Sequence, residues 1–298
     1  MPENNPRIPF RLSTAGPRLQ APGGKPFIVH VVVNLEVWPF DKQMPRAILQ
    51  HPHNKTPMPD IGNFSWVEYG LRCGVPRLVK LFADRGIPVS NFMNAAFPEY
   101  YPACAELAMK AGWKLTGHGL FQRSLLYEDN ETAVIEEAIE RYKSFCGHQP
   151  RGWLGAGYGE TLETPDILKR LGFEFLHDWM VDDVPVWMKT KHGPLLALPY
   201  ALELNDVMVF ALERHSTPEY LKRFSDTIEW FATNEPGEPK ILTLGLHPHI
   251  IAPAYRINAL VSVIEMLLAR NDVVFMTGDQ MMDWFVAQQP SAAIQGPA

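Results

Sequence analysis

With 298 residues and a net charge of −6 (27 Lys and Arg against 33 Asp and Glu), the chain is long enough for one α/β barrel, which needs about 250 residues. The acidic balance and the lack of any Lys/Arg block exclude nucleic acid as the main partner, because phosphate binding requires a concentrated basic surface. No stretch approaches the roughly 20 apolar residues of a membrane span, and MPENNPRIPF lacks the apolar core of a secretion signal, so a cytoplasmic protein that binds no membrane is expected.

Residues 1–25, rich in Pro, Gly and polar side chains, read as an N-terminal arm that wraps the body or a partner subunit. Residues 26–290 read as a single barrel domain and 291–298 as a flexible tail. Short apolar runs predict strands at 27–35, 88–93, 114–117, 152–155, 174–177, 195–199, 207–211, 241–246 and 273–276. Between them, helices are expected at about 67–85, 98–111, 130–146, 164–171, 218–234, 254–270 and 278–287. Gly86 and Gly172 stop two of these helices, and Thr164-Pro165 starts one. The strand–helix alternation, repeated about seven times, predicts an α/β fold with parallel strands closed toward a (β/α) barrel. Cys73, Cys104 and Cys146 are too few and too scattered for a disulfide framework or a thiolate metal site.

In such folds the chemistry sits at the carboxyl ends of the strands, where residues far apart in sequence share one rim. The run VHVVVNLEVW delivers Asn34, Glu36 and Trp38, and KLTGHGLFQ delivers His118 with Gln122 four residues on. RGWLGAGYGE gives Arg151, Trp153 and Tyr158, and FEFLHDW gives Asp178. LLALPYALELND gives Tyr200, Asn205 and Asp206, and ILTLGLHPH gives His247 and His249. A carboxylate facing imidazoles across a rim suits general acid–base work. Glu36, with a pKa lifted by its apolar surroundings, is expected to act as a base. His118 and His247 are the other candidate catalytic groups; Trp38, Gln122, Arg151, Trp153, Tyr158 and Asn205 are candidate substrate contacts. His51, His53 and His249, in Pro-rich loops, are expected at the surface or fixing loops, and Asp182-Asp183 in a turn.

VNLE (33–36), PDIGNFSWVEYGLRCGVPRLVKLF (59–82), TGHG around His118, Arg151-Gly152-Trp153, LPYALELND (198–206) and GLHPHI (245–250) together resemble the polysaccharide deacetylase superfamily. They are most similar to its branch of cofactor-independent allantoinases and cyclic imide hydrolases, over about Pro26 to Trp284. The resemblance implies a deacetylase-like distorted barrel of about seven parallel strands. It also implies Glu36 as base, His247 as general acid, and Arg151 orienting the carboxylate with support from Asp178. The superfamily's metal ligands fall on Val37, His118 and Gln122, so two of the three are replaced. No metal or other cofactor is therefore expected, with zinc as the alternative.

These readings converge on a hydrolase that cleaves a non-peptide carbon–nitrogen bond in a small cyclic amide, imide or ureide, working as a homo-oligomer. The alternatives are a metal-dependent N-deacetylase of sugar or peptidoglycan, and a catalytically degenerate member that only binds a ligand.

Overall fold

The β-branched run FIVHVVVNL forms β1 (Phe27–Leu35), buried along its whole length as a strand covered on both faces must be. The structure, a computed structural model, describes residues 4–55 and 57–291; residues 1–3 of the expected arm and 292–298 of the expected tail lie outside the described residues. The other strands are β2 (Ser90–Met93), β3 (Lys114–Gly117), β4 (Gly152–Trp153), β5 (Phe175–Leu176), β6 (Val186–Met188), β7 (Leu195–Ala197), β8 (Lys240–Leu246) and β9 (Val273–Phe275). Their order across the sheet is β6-β7-β5-β4-β3-β2-β1-β8, with β9 also paired to β1; every pair is parallel except β6 with β7. β1 pairs with β8 along one edge and divides the other between β9, at Phe27–Val29, and β2, at Val32–Leu35. The sheet's ends meet where the Ile241 N–H donates to the Asp183 carbonyl at 3.0 Å, which curls it toward a barrel.

Helices α1 (Ile61–Tyr69), α2 (Val75–Ala83), α3 (Phe97–Tyr100), α4 (Pro102–Lys110), α5 (Glu131–Cys146), α6 (Thr164–Arg170), α7 (Thr217–Asn234), α8 (Pro248–Ile251), α9 (Ile257–Leu268) and α10 (Gly278–Gln288) accompany the sheet. The expected helix at 67–85 begins earlier, at Ile61, where Asp60 caps it by accepting the Asn63 N–H. The expected strand at 207–211 is instead a wide helical turn, Val207–Leu212. A short apolar run reads the same in either state, and here Asn205 turns the chain by accepting the Val207 N–H. β6 was not anticipated, since VPVWM carries Pro185 at its start, a residue suited to the sheet edge it occupies.

Alternation along β1 divides the molecule into a bore and an outer core. Val29, Val31, Val33, Leu35 and Val37 join the main apolar cluster with Leu78, Phe82, Ile135 and Leu260 from the helices. Each such side chain contributes roughly 1.5–3 kcal/mol by full burial. Ile28, His30, Val32, Asn34 and Glu36 line the bore in layers. Ile28 meets Phe175, Leu196 and Ile241, plugged from below by Met281 and Phe285 of α10. His30 stacks on His177 with ring centroids 5.4 Å apart. Val32 meets Phe92, Leu154 and Tyr200. Glu36 emerges above them.

In the arm, the Arg7 guanidinium pairs with Asp166 at 2.9 Å, and the Arg7 carbonyl accepts the Lys189 N–H, so this segment is tied to its own barrel. Among the described residues no helix is long and apolar enough to cross a membrane.

Candidate active site

Glu36 leaves the top of β1 only 5 % exposed and faces two imidazoles. His118 Nε2, after β3, lies 3.5 Å from Glu36 Oε1, and His247 Nε2, after β8, lies 3.6 Å from the same oxygen. Trp38 Nε1–H donates to Glu36 Oε2 at 2.7 Å and fixes the carboxylate plane. Asn94, at the end of β2, holds the rim together. Its Oδ1 accepts the Val37 N–H at 2.8 Å, and its Nδ2 donates to the His118 carbonyl.

The hydrogen bonds assign the protons. His118 Nδ1–H donates to the Leu154 carbonyl at 3.0 Å, and a carbonyl can only accept. The ring therefore turns Nε2 into the site, toward Glu36 Oε1. The peptide N–H of His118 is committed to Tyr142 Oη at 3.1 Å, so the glycine-flanked turn does not offer it to a substrate. His247 is held by a second carboxylate: Asp206 Oδ2 accepts the His247 N–H and Oδ1 accepts Nδ1–H, each at 2.7 Å. Burial alone would lower the His247 pKa, but Asp206 and Glu36 outweigh it and raise the value to about 10. Burial also tends to raise the Glu36 pKa, but hydrogen bonding and charge from His118 and His247 hold it well below the usual carboxylate range. The expected upward shift is thus reversed. The resting site pairs an anionic Glu36 with a cationic His247.

Beneath this pair, Tyr200 Oη receives Asn34 Nδ2–H and Asn205 Nδ2–H, and Asn34 also donates to the Leu246 carbonyl at 3.1 Å. Trp38 packs with Met44 and Val67, which brings the chain around Met44 against the site. His249, expected at the surface or fixing a loop, is 3 % exposed; its ring meets Trp38, Trp66 and His247 edge-on, and burial lowers its pKa to about 3. Two glycines make room for it. A Cβ at Gly70 would stand 2.3 Å from the His249 N, and one at Gly74 would stand 2.6 Å from the Pro248 carbonyl oxygen. Both lie in the wide turn Gly70–Gly74 between α1 and α2, a local irregularity frequent at functional sites.

Comparison with known proteins bears on this arrangement. No protein-family model matches the chain. A putative polysaccharide deacetylase of Schizosaccharomyces pombe is 25% identical over 252 residues, 77% of this chain and 78% of that one. The crystal structure of PuuE allantoinase superposes with a TM-score of 0.83 at 25% identity, covering 93% of this chain and 96% of that one. In sequence and in fold the chain is similar to the polysaccharide deacetylase superfamily. A probable polysaccharide deacetylase from Pseudomonas aeruginosa PAO1 shares the fold, with a TM-score of 0.80 at 23% identity over 92% of this chain and 96% of that one.

The chain departs from the metal-centre motif that its sequence resembles. At the first ligand position the Val37 side chain is buried in the helix-facing core, and at the third the Gln122 amide oxygen accepts from Asn94 at 3.3 Å. Among the described residues no group of three or more His, Cys, Asp or Glu side chains is arranged to hold an ion. These donors do not fit the superfamily's three-ligand metal centre.

Glu36, His118, His247 and Trp38 meet at the rim, with Gln122 beside Val37 and with Tyr158 and Asn205 on either side of Tyr200. Two expected contacts do not reach it. Arg151 precedes β4, at the opposite end of the strands, and pairs with Glu174 and Asp283. Trp153 is fully buried in the outer core against Phe173, because it turns to the helix-facing side of its strand. Asp178 does not support Arg151; it accepts the Gly155 N–H with both oxygens, at 2.9 and 3.1 Å. The main residue given no role by sequence reasoning is Asp206, whose one signal was its place beside Asn205 at a strand-end rim.

Proposed function

We propose that this protein hydrolyses a carbon–nitrogen bond of a small cyclic amide, imide or ureide by metal-independent general acid–base catalysis. The observation that carries this reading is the placement of Glu36 3.6 Å from His247 Nε2, with the His247 Nδ1–H held by Asp206. The PuuE allantoinase, similar over nearly the whole chain, supports it.

A water at the rim can give one hydrogen to Glu36, beside His118, which orients its lone pair toward a bound carbonyl carbon. Glu36 takes the proton as the carbon–oxygen bond forms. His247 Nε2–H then donates to the ring nitrogen as the carbon–nitrogen bond breaks. The proton on Glu36 returns to His247 across their short separation, and the site is reset. Imides and ureides are more electrophilic than simple amides, so a carboxylate and an imidazolium suffice without a Lewis acid.

A second reading, N-deacetylation of a sugar, is supported by the deacetylase names of the other relatives. One assay separates them: succinimide, hydantoin and N-acetylglucosamine oligomers are each incubated with the purified protein, with and without a chelator. Ring opening that survives the chelator is expected. Acetate release that the chelator abolishes and zinc restores would replace this reading with the second.

A further inference from the structure

Two phenol hydroxyls beside the proposed reaction centre carry hydrogens that no protein group accepts. Tyr200 Oη receives one hydrogen bond from Asn34 Nδ2 and one from Asn205 Nδ2, both at 3.2 Å. A hydroxyl has one hydrogen and two lone pairs, so both acceptor positions are filled and only the O–H is left to act. A glycine makes this arrangement fit. A Cβ at Gly245 would stand 2.7 Å from Tyr200 Oη and 2.6 Å from Asn205 Nδ2. Tyr158 Oη is buried with no partner at all, and its ring centroid lies 5.8 Å from that of Tyr200. The Tyr158 backbone sits at φ 57°, a left-handed conformation that is uncommon for a bulky side chain and needs outside support. Asp178 supplies that support by clamping the Gly155 N–H at the start of the same turn.

Asn34 and Gly245 precede Glu36 and His247 by two residues on the bore-facing sides of β1 and β8. At the rise of a strand this sets the Tyr200 hydroxyl about 7 Å below the acid–base pair, within the span of a small ring. Burial holds both phenols above their ordinary range, so each stays a donor. A buried donor left without an acceptor is unfavourable, and a ligand oxygen relieves that cost.

We propose that Tyr200 and Tyr158 form a donor-only subsite for a second carbonyl oxygen, selecting cyclic imides and ureides, which carry two carbonyl groups, over lactams and acetamides, which carry one. This inference rests on the hydrolytic reading for the position of the reacting carbonyl.

The test measures binding apart from turnover. Calorimetry on the Glu36→Gln protein compares glutarimide with δ-valerolactam, a ring of the same size with one carbonyl. Glutarimide is expected to bind at least about 10-fold tighter, the worth of one hydrogen bond. That ratio should fall toward unity when Tyr158→Phe or Tyr200→Phe is added. Tyr158→Phe leaves no group unpaired, so it decides the matter even where Tyr200→Phe fails to fold. A ratio that survives Tyr158→Phe, a ratio near unity in the parent, or no binding of either probe overturns the subsite. Wild-type turnover of glutarimide is followed in parallel: selective binding without ring opening would reject the hydrolytic reading and leave the subsite standing.

Discussion

Asp206 grips His247 at two points, accepting its peptide N–H and its Nδ1–H at 2.7 Å each, so one buried carboxylate sets both the place and the charge of the proposed acid. Asp206→Asn removes the charge while keeping the shape. The His247 pKa should then fall from about 10 toward that of a free imidazole. In kcat/KM profiles the alkaline limb should move to lower pH, with a loss of about 100-fold or more on the plateau, the usual share of a general acid. An unmoved alkaline limb would detach Asp206 from the proton on His247.

Gly70 is required where the turn between α1 and α2 crosses the His249 backbone. A methyl group there cannot be absorbed by a flexible side chain, because the nearest atoms belong to the main chain. Gly70→Ala should destabilise the fold by about 1–3 kcal/mol, the usual cost of overpacking. It should also reduce kcat, since α8 carries His247 at its start. Urea titration reads the first effect and steady-state kinetics the second. A variant with wild-type stability would show that the two segments separate freely.

Three imidazoles are buried in neutral form. Burial lowers the pKa of His177 and His249 to about 3, and that of His30 well below its ordinary value. A histidine with a depressed folded pKa binds fewer protons folded than unfolded. The stability it supports is present above about pH 6.5 and is lost as pH falls toward its folded value. His247 is shifted the other way, and its contribution, complete below about pH 6.5, is lost as pH rises from there through about 10. Between pH 6.5 and 5 the unfolding free energy should therefore drop, by at most about 1.4 kcal/mol per pH unit for each of the three. His177, whose two ring nitrogens have no partner, can be replaced by Phe. Urea melts of His177→Phe at several pH values should show a shallower acid slope, and an unchanged slope would contradict this account.

Much of the architecture was legible because β1 and β8 are long and strongly apolar, and their polar terminations point to one rim. Glu36, His118 and His247 could be grouped on that basis alone. The misreadings have specific physical causes. β4 spans only Gly152–Trp153, so counting along its run could not tell which end Arg151 occupies or which face Trp153 takes. VMVFA has a composition that suits a strand, but Asn205 turns it into a helix by a side-chain bond that spacing does not reveal. The Glu36 pKa was judged from the apolar residues beside it in sequence, whereas the two imidazoles that reverse the shift come from β3 and β8. Asp206 becomes meaningful only once folding brings it beneath His247.

The central claim, that Glu36 and His247 act as base and acid, is tested most directly by single-turnover ring opening of a cyclic imide, followed by NMR, in wild type, Glu36→Gln and His247→Gln. Each variant should lose at least about 100-fold in rate while keeping its thermal midpoint within a few degrees of wild type. Near-normal rates in both folded variants would contradict the account.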